Sequence, residues 1–412
     1  MKKLMSKKQL GALIVALIIT AAGLAAWVAQ LTTGLLATTN MGNVFCWGLL
    51  IGMFAFCVGF GAGGQLAASY IVLSKRPELQ RFALPAQAVG LGGAIGASVA
   101  IIADLGSPEN ILAMLLHLNV VSPLAWDMMA LTFFIVSSVV GLVALARSWK
   151  SARAWMIVGA VAAVVLQIIE GMLFALLSAR VWWHSIIVPV DFLMVAIVCG
   201  FALVLAMATV SGRGGSVDAG ADSLGAARSL GKLLAVAIIV HVALALAELG
   251  MLAIEGTAAS RATLDVIAAY SPLYAIELGL PIIAAVLLLT RGGKAGAAEL
   301  GAASALAIVG MFAHRLMLLY PAFAAPILFA GLSNQPSPEW AYPMSTGQYA
   351  TMGDTFAMTQ AYLPSAVEWA SILLPIGSAI AVALIAVAAT KALEGSASGG
   401  DAVSLASSQN DR

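Results

Sequence analysis

Ten apolar stretches, each about 20 residues long and none strictly alternating, divide this 412-residue chain. Runs of that length suit an α-helix crossing a bilayer core. In lipid every backbone N–H and C=O must be satisfied within its own segment or in a closed barrel. Barrel strands would alternate lipid-facing and lumen-facing residues, which these runs do not. Composition agrees: 62% of residues are hydrophobic and 9% charged, against about a quarter charged in soluble domains. The fold class read from this is all-α, a polytopic membrane protein of about ten transmembrane helices in helical bundles. The spans fall at 10–31, 44–73, 82–103, 123–147, 153–178, 186–210, 230–253, 272–290, 298–320 and 364–390.

Charge placement orients the spans. One side collects Lys2, Lys3, Lys7, Lys8, Lys75, Arg76, Arg81, Arg147, Lys150, Arg153, Arg213, Arg228, Lys232, Arg291, Lys294, Lys391 and Arg412, while the other has Arg180 and Arg261. The positive-inside rule then puts both termini in the cytoplasm. The net charge of +1 provides no global field for nucleic acid, so none is expected as a partner; the surroundings are membrane lipid. The lysines before Leu10 also suit a signal peptide cleaved near Ala29, but the run to Leu31 exceeds the usual core of about 7–15 residues, which favours a retained first helix.

Five segments follow. Residues 1–43 hold the first helix and an outer loop, and 44–210 form a helical bundle. A Gly- and Ser-rich cytoplasmic linker occupies 211–229, a second bundle with a long outer loop at 321–363 occupies 230–390, and 391–412 form a polar tail expected to be disordered. The outer connections Asp104–Ser122 and Pro321–Leu363 are the elaborate ones, and structured long loops tend to carry function. Pro108 to His117 is too short to span and reads as an amphipathic helix at the surface. Three inward-running helices begin alike, at Ser122-Pro123 before Asp127, Ser271-Pro272 before Glu277, and Pro364-Ser365 before Glu368. They are either ordinary helix starts, with Pro in the first turn, Ser as cap and an acid near the positive dipole end, or relics of an internal duplication.

Ionisable groups inside spans are costly and usually face a protein interior, a cavity or each other. Here they crowd the outer half: Glu170 with Gln167 on the same helix face, Asp191, the stripe His241, Glu248 and Glu255, then Glu277, His314, Arg315 and Glu368. Taken singly, each is explained by structure, Arg315 pairing with an acid and the rest bonding between helices. Taken together, they suit a proton pathway or a polar substrate cavity, through Glu170, Asp191, His241, Glu248, Glu277, His314, Arg315 and Glu368. Cys46, Cys57 and Cys199 form no CxxC, so no iron–sulfur cluster or c-type haem is expected in this chain. The four histidines, His117, His184, His241 and His314, include two intramembrane candidates for haem b. Counting along the helices places His241 near mid-membrane and His314 nearer the outside, which disfavours haem. No metal site is read.

Residues 44–150 resemble the NrfD family, the membrane subunits of polysulfide reductase-type and related respiratory complexes. The features are Trp47-Gly48, the small-residue face Gly59-Phe60-Gly61-Ala62-Gly63-Gly64, Asp104-Leu105-Gly106-Ser107-Pro108, His117-Leu118-Asn119, Ser122-Pro123 and Trp126. Beyond 150 the likeness is looser, with Tyr362-Leu363-Pro364-Ser365 and Glu368 similar to the longer, ten-helix branch. Ser107 stands where the family often has Arg or His. Ile51 and Ala55 stand where some relatives place a quinone-contacting Asn and His, so that role is not carried over.

The resemblance implies a quinone site in 44–210 and a location in a prokaryotic plasma (inner) membrane. The chain would be a quinol/quinone-reactive anchor without redox centres, not catalytic on its own. Its substrate would be menaquinone or ubiquinone, and its partners an iron–sulfur electron-transfer subunit and a molybdopterin or multihaem catalytic subunit. Quinone chemistry needs an apolar slot and a proton acceptor at a ring oxygen. The expected slot lies among spans two to five, with His117 exchanging protons and Asp104 orienting it or relaying. Asn119 would bond a carbonyl, Trp126 would wall the ring, and Asp127 would complete the site. Each has a plainer reading as a helix end, a turn or an interfacial side chain. The deep acids would carry protons. The loop at 321–363, with Trp340, Tyr342 and Tyr349, and the Asp104–Ser122 loop are the expected docking surfaces. A secondary transporter with intramembrane acids is the alternative of another class, and a haem-b anchor a third.

Overall fold

The structure is a computed structural model that describes residues 5–42, 45–74, 76–211, 217–291, 293–325, 342–343, 356–357 and 362–409. Ten helices are long and apolar enough to cross a membrane. They are α1 (Lys7–Thr33), α2 (Leu49–Ser74), α3 (Pro77–Asp104), α4 (Pro123–Ala146), α5 (Ala152–Ala175), α6 (Ile187–Val210), α7 (Ala227–Glu255), α8 (Ser271–Arg291), α9 (Ala297–Ala324) and α10 (Ala366–Leu393). Extended pairing among the described residues is confined to Tyr342–Pro343 against Phe356–Ala357. Trp340 and Tyr349 lie outside the described residues, and of Tyr342 only the backbone pairing is described.

Between α3 and α4 a 3-10 turn, Pro108–Asn110, leads into a short helix, Ile111–Leu116. Between α7 and α8 the expected loop is a helix, Ala258–Ala269, capped by the Thr257 hydroxyl accepting from the Ser260 N–H. The three similar helix starts differ in detail. Ser365 caps its helix, with Glu368 closing a reciprocal capping box. Ser122 is extended ahead of Pro123 but makes no side-chain cap, and Ser271 is already helical.

Helices α2 to α5 form one bundle and α6 to α9 another, with α2 and α5 packed against α6 where the bundles meet. The glycines of α2 allow that junction. A Cβ on Gly63 would lie 2.2 Å from the Ala196 carbonyl oxygen, and one on Gly200 of α6 would lie 2.2 Å from the Gly63 oxygen. On the adjacent face Gly61 meets Gly93 of α3, where a Cβ on Gly93 would fall 2.6 Å from the Gly61 Cα. Small residues let membrane helices approach backbone to backbone.

The last span does not join the second bundle, contrary to the division at 230–390. It packs against α3 and α1. Gly92 receives the Ala379 carbonyl, and Gly23 of α1 receives the Leu374 backbone. The expected linker at 211–229 is helical from Val217, continuous with α7, so it does not divide the helices into packing groups. At one end of this group Glu368 ties three segments. Its carboxylate accepts the Tyr362 hydroxyl and the N–H groups of Asn40 (3.0 Å) and Ser365 (2.8 Å). The Tyr362 oxygen accepts the Leu49 N–H at 2.9 Å. Burial, and then the neighbouring Glu368 carboxylate, hold the Tyr362 phenol above its ordinary pKa.

Two prolines lie inside helices of the second bundle. Pro281 sits inside α8 and fills the space left by Gly310 of α9, where a Cβ would lie 2.3 Å from the proline ring. Pro321 sits inside α9 and has no N–H for the Met317 carbonyl, which accepts the Trp182 indole N–H at 3.0 Å instead. The next residue, Trp183, donates to the Leu318 carbonyl at 2.6 Å, and Arg180 donates to Ala322.

Lys7, Arg76, Arg81, Arg147, Lys150, Arg153, Arg228, Lys232, Arg291, Lys294 and Lys391 gather at one end of the molecule, the basic end. Lys391 comes within 3.5 Å of Gln9 there, so the first and last spans terminate on the same side. The C-terminal ends of α3, α5, α7 and α9 lie at the opposite end.

Candidate functional site

A cavity of about 300 Å³ opens among α2 to α5 toward the end opposite the basic one. Its walls are mostly apolar, from Trp47, Ile51 and Phe54 of the α2 segment to Leu131 and Ile135 of α4 and Phe174 of α5. Three carboxylates break that surface: Asp104 at the end of α3, Asp127 in the second turn of α4, and Glu170 on α5. Asp127 and Glu170 are buried, at 4% and 1% exposure. Asp104, Asp127 and Glu170 each have a buried oxygen without a hydrogen-bond partner; the other Glu170 oxygen accepts the Gln167 amide at 3.1 Å. Buried acceptors left in this state cost about 1–3 kcal/mol each, more when charged, and mark places where a ligand or proton is accommodated. The aromatic wall is itself braced: Trp47 stacks on Trp183 at 5.7 Å and meets the Phe174 edge at 5.8 Å.

A second polar group lies in the α6–α9 bundle. Asp191 holds two histidines, His241 Nδ1 at 2.7 Å on one oxygen and His314 Nε2 at 2.8 Å on the other. The remaining His314 nitrogen, Nδ1, reaches Glu277 at 2.8 Å. Close packing of α8 on α9 accounts for the Glu277–His314 contact. Pro281 and Gly310 bring α8 and α9 together one turn from Glu277 and His314. The two imidazoles stand edge to face, 4.9 Å apart, so the depth mismatch counted from the helix ends does not exist. Residue counting ignores tilt and kinks. The half-buried Glu248 and the Tyr274 hydroxyl border this chain of side chains, each with an unpartnered buried oxygen. Glu255, third in the stripe, sits at the helix end and accepts from Ser260 at 2.8 Å.

This cluster has metal-ligand chemistry, since atoms of His241, Glu277 and His314 lie within 4.8 Å of one another. The donor set fits an ion poorly. Both His314 nitrogens already face carboxylate oxygens, and only His241 Nε2 and one Glu277 oxygen are unpartnered, short of the three or four ligands of a zinc site. A hydrogen-bonded chain of side chains describes it better.

Arg315 connects the two regions. It is fully buried, follows His314 on α9, and lies over the Phe192 ring at 3.7 Å. None of its guanidinium nitrogens has a hydrogen-bond partner among the described residues. The charges it feels are those of Glu170 first and Asp191 second. The expected pairing of Arg315 with one acid is therefore not made.

The remaining expected residues fall elsewhere. His117 caps the short helix, exposed and outside the cavity lining. Asn119 is exposed and accepts the Val121 N–H at 3.1 Å, a turn contact. Trp126 is half exposed, its indole donating to the Val120 carbonyl at 2.9 Å. Glu368 is saturated by the three donors named above, which makes it a structural knot. Gln65 and Gln87 belong to none of the expected sites, yet both are fully buried. Gln87 donates to Gln65 at 2.6 Å and to the Ser138 carbonyl at 3.1 Å, on the basic side of the cavity. Amides within apolar runs are the signal that finds them in the sequence.

The family description "Polysulphide reductase, NrfD" matches residues 37–326. The chain belongs to the NrfD family. Among curated relatives, this NrfD protein is 32% identical over 261 residues to a putative dimethyl sulfoxide reductase membrane subunit of Halobacterium salinarum, covering 58% of each chain. It is 25% identical over 368 residues to a selenate reductase subunit of Mesobacillus selenatarsenatis, covering 79% of this chain and 81% of that one. The chain thus spans a little over half the length of the first relative and four-fifths of the second. The NrfD match takes in the cavity, the histidine chain and Arg315, and ends before α10. Of the residues that carried the resemblance, Trp47 and Asp104 line the cavity, and Ile51 lines it as an apolar wall.

Proposed function

We propose that this NrfD protein is the quinone-reactive membrane subunit of a respiratory oxidoreductase, exchanging electrons between a membrane quinone and an iron–sulfur subunit docked at the end opposite the basic one. The observation that carries the reading is the trio Asp104, Asp127 and Glu170, each with an unpartnered buried oxygen, on the walls of one apolar cavity. A quinone ring and the start of its tail suit such walls, and its two oxygens need polar partners. Bound there, the quinone supplies two-electron, two-proton redox chemistry. The protein's part is to orient the ring and to hold the exchanged protons on carboxylates, which lie where His117 does not reach.

Both relatives are reductase subunits by name, one of a putative dimethyl sulfoxide reductase and one of a selenate reductase, and that supports assembly with electron-transfer and catalytic partners. Exposed Leu116, Val120 and Val121 supply apolar surface for docking at the cavity end. The concentration of Lys and Arg at the opposite end supports a cytoplasmic position for the termini, in a prokaryotic plasma membrane. The His241–Asp191–His314–Glu277 chain supports proton translocation as an added role.

The test is purification in mild detergent, with co-purifying subunits identified and their iron and molybdenum measured, followed by titration with a quinone analogue while Trp fluorescence is read. Iron–sulfur partners and saturable quenching are expected. A chain that purifies alone and ignores quinone analogues would overturn the reading and favour a transporter.

A further inference from the structure

We infer that Arg315 is a charge gate, turning between Glu170 at the cavity and Asp191 in the histidine chain, and so coupling quinone redox chemistry to a proton beyond the two that the quinol carries. The inference rests on the cavity being the quinone site.

A guanidinium has five donors and strongly favours a bidentate carboxylate when buried. Arg315 is 0% exposed and has none of those bonds. It is held by the Phe192 ring beneath it, a contact that lets the plane rotate without being lost. Beside Arg315 are the Gln167 carbonyl, unpartnered, and Glu170, with an unpartnered oxygen. Asp191, next to Phe192 in the chain, is its other acidic neighbour, and both Asp191 oxygens are committed to His241 and His314. The space around the guanidinium tip is kept by Gly59 of α2, where a Cβ would lie 3.3 Å from Arg315 Nη2 and 3.8 Å from Gln167 Oε1. The other ionisable neighbour is the Cys199 thiol on α6.

The cycle follows from charge balance. Oxidation of a quinol breaks two O–H bonds, and the two electrons leave to the iron–sulfur partner. One proton goes to Asp127 or Asp104 at the open side of the cavity. The other goes to Glu170, whose negative charge is thereby removed. Arg315 then has one ionised neighbour, Asp191, and turns to it. Asp191 had stabilised the positive charge on an imidazole; sharing it with a guanidinium weakens that hold, and His314 passes a proton to Glu277 beside it. Glu277 gives that proton up toward the cavity end, where α8 begins. When Glu170 releases its own proton, Arg315 returns and His314 reloads from the basic end through His241 and Asp191. Quinone reduction runs the same steps backward.

The experiment uses the intact complex in proteoliposomes, oxidising an added quinol, and reads protons released per pair of electrons. Wild type is expected to exceed two, the number the quinol itself carries. Arg315→Gln is expected to fall to two, and Arg315→Lys to recover part of the surplus. Gly59→Ala places a methyl against the guanidinium tip while leaving Arg315 in place, so it serves if the arginine variants fail to assemble; it is also expected to fall toward two. A wild-type ratio of two, or a surplus that survives in Gly59→Ala and Arg315→Gln, overturns the gate and leaves the quinone reading standing. Absence of any quinol-dependent turnover in the wild-type complex overturns both.

Discussion

The indole of Trp182 donates to the Met317 carbonyl, which Pro321 leaves without its helical donor. A connection outside the second bundle thus completes the hydrogen bonding of a helix within it, four residues ahead of the proline. Trp182→Phe removes the donor and keeps most of the ring. It is expected to destabilise the protein by about 1–2 kcal/mol, read as a lower melting temperature in detergent. Pro321→Ala supplies a backbone N–H to the same carbonyl. The double variant should therefore lose less stability than the sum of the two single changes, a coupling that a cycle of melting curves resolves.

The cavity carboxylates should separate binding from proton exchange. Asp127→Asn and Glu170→Gln keep size and shape while removing the charge. Each is expected to lower kcat for quinol oxidation by about a hundredfold with little change in KM. His117→Ala is expected to turn over close to wild type, since His117 lies outside the cavity lining. Loss of turnover in His117→Ala, with Asp127→Asn and Glu170→Gln active, would return the proton-exchanging role to the histidine.

Filling the cavity tests its occupant. Ser98 lines the α3 wall, and its hydroxyl donates to its own helix at Ala94, 3.0 Å away. Ser98→Trp places an indole in the space and should raise the KM for quinol about tenfold or more, with no loss of assembled complex by size exclusion. Unchanged quinol kinetics would move the substrate elsewhere.

The Gly63–Gly200 contact should tolerate nothing larger. Gly63→Leu pushes a side chain into the α6 backbone and is expected to cost about 3 kcal/mol or more. The outcome to look for is loss of folded protein from detergent extracts. Gly11, with open space where a Cβ would go, is the control, and Gly11→Leu should be extracted normally.

The spans are readable in the sequence because length and apolarity are local properties that a bilayer demands of every crossing helix. Glu170 is readable as a residue out of place in lipid, and Asp104 and Asp127 through the family resemblance, but the three are not readable as a trio around one cavity. That grouping depends on how α3, α4 and α5 face one another. His117 stands out by being titratable beside a motif, while the six-residue helix before it turns the side chain outward. His241 and His314 differ in depth only when residues are counted from the helix ends, which ignores how α7 and α9 tilt and shift against each other; their rings lie 4.9 Å apart. Glu368 looks like a relay group as long as its partners, Asn40 and Tyr362, are not known to be neighbours; Asn40 lies 328 residues away.

The placement of α10 has a bearing on biogenesis. The ribosome delivers α3 about 270 residues before the helix that covers Gly92 and Gly96. During that interval the glycine face of α3 meets lipid or an insertion chaperone, while α6 to α9 are still entering the membrane. Contacts of such long sequence separation form late and slowly. A chain cut short after α9 would carry the whole NrfD match and still leave the cavity's own bundle unsealed.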